Sequence, residues 1–171
     1  MSVSAVAEAA GTTRQAVYRR WPSKADLATA AIAAIAADGP NYEHGEPAAI
    51  DDPYQALVAE LVRFRRGIGR PDGLSMVGTM LQRTTDPELR RLFRKRVVHL
   101  RRQRLRSILT AALTAELLPA DADIEAALPA LTGSFYGRAL SDDTALPRWA
   151  DRTAALVWRG LGGDPPEVVK R

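Results

Sequence analysis

The chain has 171 residues, 46% of them apolar and 26% charged, with a formal net charge of +4. That length supports one sizeable core or a small unit beside a larger one, and the mild positive balance permits an anionic partner without requiring it. The absence of cysteine excludes disulfide and thiolate chemistry. The longest apolar run, Leu27 to Ala37, is too short and too weakly hydrophobic for a bilayer span or a signal peptide, so a cytoplasmic protein with no membrane partner is expected.

Helical spacing dominates from end to end, without strand-like alternation, which predicts an all-α fold. Ser2 is placed to cap a helix over Val3 to Ala10, which Gly11 ends in the left-handed region. Thr13 caps a second helix running through Arg20. Pro22 breaks the pattern, and "SKAD" opens a third helix with capping-box character, stopped by Asp38-Gly39-Pro40. Residues 39–53 contain three prolines and two glycines and read as a linker.

Two helices come next, over Tyr54 to Ile68 and Leu74 to Arg83. One long helix is then expected from Pro87 to Leu118, capped by Thr85 or Asp86 and closed by Pro119. Another runs from Ile124 to Leu140, bent at Pro129. The last spans Trp149 to Leu161 and is stopped by Gly162-Gly163. The expected division is a helix-turn-helix unit over 1–38, a linker over 39–53, a larger antiparallel helical domain over 54–163 and a mobile tail over 164–171.

The first two helices, joined by a tight glycine turn, have helix-turn-helix form. Val6, Ala10 and Val17 are expected to pack where they cross, with small alanines at 7 and 10 allowing close approach. The second helix then projects Arg14, Gln15, Tyr18 and Arg19 from its N-terminal part, the end that enters a major groove. Arginine can read guanine, glutamine can read adenine, and hydroxyls can hold phosphate.

These residues resemble a known family. "VSAVAEAAGTTRQAVYRRWPSKADL" is similar to the DNA-binding segment of TetR family transcriptional regulators, above all in "AEAAG" and "AVYRRWPSK". "DPELRRLFRKRVVHLRRQRLRSIL", "LTGSFYGRAL" and "AALVWRGLGG" resemble the family's regulatory half more weakly. The resemblance implies a DNA-binding unit followed by a ligand-binding and dimerisation domain.

Carried over by position, it puts Thr13 at the cap and on phosphate, and Arg14, Gln15 and Ala16 on bases. Tyr18, Arg20 and Lys24 would grip the DNA backbone, with Ser2 and Ser4 as further contacts. Ala16 stands where many relatives carry a hydroxyl. The family pattern has a helix ahead of these, and this sequence opens at the second one. The segment from Ser2 to Ala37 is therefore expected to be the looser half.

Elsewhere the residues allow two readings each. The basic run Arg90 to Arg106 is either a second anionic surface or the solvated face of a helix whose apolar stripe is Leu89, Leu92, Phe93, Val97, Leu100, Leu105 and Ile108. The stripe favours the solvated face. Met76 and Met80, one turn apart and near Phe64, suit an adaptable ligand pocket or an ordinary core. Gly133 and Gly137, beside Phe135 and Tyr136, suit close helix approach in a dimer seam or within one chain. Leu156 and Trp158 add large apolar groups to that seam.

His44 and His99 are far apart and show no ligand spacing, so no metal, no cofactor and no catalytic constellation is expected. The function expected is a ligand-responsive transcriptional repressor, a homodimer on a palindromic double-stranded operator, released by a small-molecule effector. The alternative is a helical ligand-binding or dimerisation module that has lost DNA binding together with the family's first helix.

Overall fold

The structure, a computed structural model, describes residues 2–36, 50–69, 73–82, 86–141 and 147–166, apart from the side chains at 32–36 and 76. Every regular element among them is helical: α1 (Val3–Ala9), α2 (Arg14–Arg20), α3 (Lys24–Ala36), α4 (Pro53–Ile68), α5 (Gly73–Leu81), α6 (Pro87–Phe93), a π-helical turn (Arg94–Val98), α7 (His99–Thr114), α8 (Ile124–Leu140) and α9 (Trp149–Gly160). The expected stop at Asp38-Gly39-Pro40 falls outside the described residues, as do most of the 39–53 linker, His44, Thr85 and positions 167–171.

Side-chain caps set most of the starts. Thr13 Oγ1 accepts from the Ala16 amide at 3.1 Å. Ser23 Oγ accepts from the Asp26 amide at 3.0 Å and donates to the Asp26 carboxylate at 2.8 Å. Asp52, Asp86 and Asp123 cap α4, α6 and α8 by accepting first-turn amides. Ser2 departs from expectation: it occupies the N-cap position of α1 but its side chain makes no cap bond. Gly11 does end α1 with φ +61°, the left-handed geometry that a side chain disfavours.

The long helix expected from Pro87 to Leu118 is divided. α6 passes through a π-helical turn before α7 resumes regular geometry, and α7 ends at Thr114. Arg96 and Arg101 depart from the solvated face expected of the basic run: each falls four residues after an apolar stripe residue, Leu92 and Val97, and the first bonds to α3 while the second lies over the Phe64 ring. α8 runs through Pro129 undivided.

The main core is built on α4, whose Leu57, Leu61 and Phe64 are essentially inaccessible. They meet Leu105, Leu109 and Ala112 of α7, Leu128 and Leu131 of α8, and Ala154 and Trp158 of α9. Each large side chain so buried contributes about 1.5–3 kcal/mol of transfer free energy. The C-terminal stop is sterically specified as well. A Cβ on Gly163 would lie 2.6 Å from both Trp158 Nε1 and Leu118 Cδ2, so only glycine lets the chain close over the indole. A second, small cluster joins Val3, Ala7, Val17 and Leu27. Ala7 takes the inward place expected of Ala10, which is exposed.

Candidate DNA-binding unit and effector cavity

Each of the three N-terminal helices carries exposed polar side chains. Arg14, Gln15, Arg19 and Arg20 are exposed on α2, Ser2 and Ser4 are exposed at the start of α1, and Lys24 is exposed at the start of α3. Ala16 and Tyr18 are half-buried. The Arg14 guanidinium lies 5.4 Å from the centre of the Tyr18 ring, and that of Arg20 lies 5.1 Å from the Trp21 ring. Both are within cation–π range, which limits the freedom of two long side chains before any partner arrives. Val17 of α2 and Leu27 of α3 are buried in the small N-terminal cluster.

One arginine of the basic run joins this unit to the rest of the chain. Arg96, on the π-helical turn, donates from Nη2 to Asp26 Oδ1 at 2.7 Å and from Nη1 to Thr29 Oγ1 at 2.9 Å. Thr29 is fully buried, and its hydroxyl donates in turn to the Ala25 carbonyl at 2.8 Å. Hydrogen bonds from Ser23 and then Arg96 hold the Asp26 carboxyl below its ordinary value of 3.8, so it is ionised throughout the neutral range. Nothing in the local spacing announces a contact across 70 positions. Thr29 alone gave a signal, as the only polar residue in the alanine-rich run from Leu27 to Ala37.

Directly beside Arg96, the same turn walls a cavity of about 330 Å³. Val97 and Val98 line it together with Phe93 of α6, Met80 of α5, Leu105 of α7 and Leu128 of α8. That size lies at the low end of ligand pockets, roughly 300–1,000 Å³. Of the residues expected in a pocket, Met80 lines it. Phe64 stands behind the wall in an aromatic cluster, 5.5 Å from Phe135 and 5.7 Å from Tyr136 between ring centres. The Met76 side chain lies outside the described residues.

Polar groups on the cavity are few. Arg102 is held by Glu125 at 3.0 Å, and Arg106 shares that carboxylate. Arg101 places its guanidinium 4.7 Å from the centre of the Phe64 ring. Tyr136 also lines the space, and burial pushes its hydroxyl pKa up. Close by, Glu60 is buried against Arg63 at 3.2 Å. Burial raises its carboxyl above the ordinary 4.5, against the opposing pull of Arg63, Arg104 and Arg101.

The seam residues divide by exposure. Leu156 is 71% exposed, and Gly133 and Gly137 are exposed, with none of the described residues within 4 Å of where a Cβ would stand. Phe135 and Tyr136 are half-buried in the aromatic cluster. Trp158 is 2% exposed and packs edge-on to Tyr54 at 5.2 Å, so its ring belongs to the chain's own core and is withdrawn from the seam. The inward stripe of α9 is Trp149, Ala150, Thr153, Ala154 and Trp158.

Among the described residues no helix is long and apolar enough to cross a membrane, and no group of three or more His, Asp or Glu could hold a metal ion. A comparison with curated proteins finds no match. Residues 1–31 match the family profile described as "Bacterial regulatory proteins, tetR family". Residues 51–157 match "Tetracyclin repressor-like, C-terminal domain". With more than half of its length matched and a helix-turn-helix unit at the front, the chain belongs to the TetR family of DNA-binding transcriptional regulators, which are not enzymes.

Proposed function

We propose that this regulator is a ligand-responsive repressor that holds a palindromic operator as a homodimer and is released by a small molecule in the cavity. The observation that carries the reading is the adjacency of Arg96 and Val97. The first is bonded to Asp26 and Thr29 of α3, and the second is part of the cavity wall. A ligand that repacks Val97 and Val98 shifts the π-helical turn, and the Arg96 fork carries that shift to α3. α3 begins at Lys24, next to the reading helix, so its displacement alters the spacing of two heads on successive major grooves. Arg14, Gln15 and Ala16 are the base-facing positions in this reading. Thr13, Tyr18, Arg19, Arg20 and Lys24, with Ser2 and Ser4, face phosphate.

Selection of duplexes from a random pool by the full chain tests this. The expected product is an inverted repeat whose half-sites lie about 34–36 Å apart, or a multiple of that spacing. Recovery of single, unpaired half-sites would rule out a dimeric reader.

A further inference from the structure

We infer that the cavity takes an amphipathic anion, an aliphatic or aromatic body bearing a carboxylate, with Arg101 as the group that holds the head. The inference rests on the effector reading above and adds the chemical class of the effector. Its basis is a charge imbalance in a mostly apolar space. Phe93, Val97 and Leu105 offer the body only apolar contact, so affinity for a chain or ring is non-directional there. The head is decided by what remains.

Arg102 has its charge matched by Glu125. Arg101 differs: among the described residues no carboxylate lies within ion-pairing distance of it. Its guanidinium is instead stacked on Phe64, which fixes the plane of the fork while leaving its N–H groups available. Glu60, whose carboxyl feels the charge of Arg101, is engaged by Arg63 and also feels Arg104. Three arginines act on this one carboxyl, and of the three it is Arg101 that lines the cavity.

Tyr136 lines the same space and its hydroxyl feels the charge of Arg101, which makes it the second donor of the proposed site. A planar fork beside a phenol suits two oxygens of one carboxylate. A cationic head would meet repulsion there, and a neutral one would leave the fork unmatched.

Calorimetry on the full chain with octanoate, 1-octanol and octylammonium tests the inference. Octanoate is expected to bind roughly tenfold or more tightly than the alcohol, the difference of a charge-assisted contact, and the ammonium not at all. Arg101→Gln is expected to abolish the gap between octanoate and the alcohol while leaving alcohol binding in place. Arg101→Lys, which keeps the charge without the fork, is expected to retain the preference at lower affinity, and it decides the matter if the glutamine variant does not fold. Equal binding of acid and alcohol, preference for the amine, or no binding by any of the three overturns the inference.

DNA binding, measured in the same solutions, is read separately. Octanoate that binds without weakening DNA contact leaves the ligand class standing and sinks the effector reading. Release of DNA by the alcohol or amine alone does the reverse.

Discussion

Arg96 reaches the Asp26 carboxylate at 2.7 Å across 70 residues of sequence and bonds the buried Thr29 hydroxyl in the same fork. Three donor contacts, counting a longer one at 3.4 Å to the Asp26 carbonyl, converge from one guanidinium on one turn of α3. A lysine could not reproduce that fork. Its strength as a stability element is modest, because both partners are partly exposed. Its importance lies in position.

Removing the fork should therefore uncouple more than it unfolds. Arg96→Gln is expected to leave DNA affinity without effector close to that of the parent chain. The effector-induced loss of affinity, typically about 5–150-fold for such coupling, should fall towards unity. Asp26 is depressed below 3.8, so its contribution is present above that value and lost only as pH falls through the lower folded value. The coupling should accordingly be flat through the neutral range. Anisotropy titrations with and without effector check both, and undiminished coupling in Arg96→Gln would exclude this route.

On the reading helix and beside it, two kinds of effect are expected. Arg14→Ala or Gln15→Ala should relax base preference at one position, at a cost of about 1–3 kcal/mol where the contact is bidentate. Lys24→Ala should weaken all sequences alike and reduce the slope of log affinity against log salt by about 1. Binding measured on matched and mismatched duplexes at several salt concentrations separates them. If all three variants bind like the parent, α2 is not the reading element.

How far the sequence disclosed this arrangement depends on which residues are traced. Gly11, Thr13 and Ser23 act through their immediate neighbours, and their effects were legible as turn and caps. The division of the long helix was not. The run from Arg94 to Val98 contains no proline or glycine, and a π-helical turn accepts the same residue types as the helix around it. Treating every arginine of the run as solvated overlooks that Arg96 and Arg101 stand four residues after Leu92 and Val97 of the apolar stripe, where they make the α3 link and the Phe64 contact. Trp158 was misassigned for a different reason. Counting only large apolar residues on α9 overlooks Ala150, Thr153 and Ala154, which complete the inward stripe and leave Leu156 on the far side.

Buried Glu60 gives a pH-dependent signature. Its folded pKa is raised above 4.5, chiefly by burial, so the folded chain prefers the protonated form. The stability this group contributes is fully present below 4.5 and is lost as pH rises through the folded value. Glu60→Gln mimics the protonated carboxyl. Its unfolding midpoint should match the parent's in acid and exceed it increasingly as pH rises to neutrality. A difference that stays constant across that range, or grows in acid, would show that the ion pair with Arg63 outweighs burial.

The proposed dimer seam can be separated from the core because neighbouring positions on α9 face opposite ways. Leu156 is 71% exposed, and Leu140, at the end of α8, is 89% exposed. Leaving two such groups in water forgoes burial that a second copy would supply. Gly133 and Gly137 keep the α8 surface low, with no atom of the described residues within 4 Å of either Cβ position. A two-fold pairing of α8 and α9 with their copies would cover these groups in a four-helix seam. Leu156→Glu and Gly137→Arg should each give a folded monomer by sedimentation, with helical content unchanged and operator affinity lost. Trp158→Ala should instead cost about 3–5 kcal/mol of folding stability, because the indole fills the core against Tyr54. A parent chain that sediments as a monomer at micromolar concentration would leave Leu156 and Leu140 exposed for some other reason, and the seam would have to be abandoned.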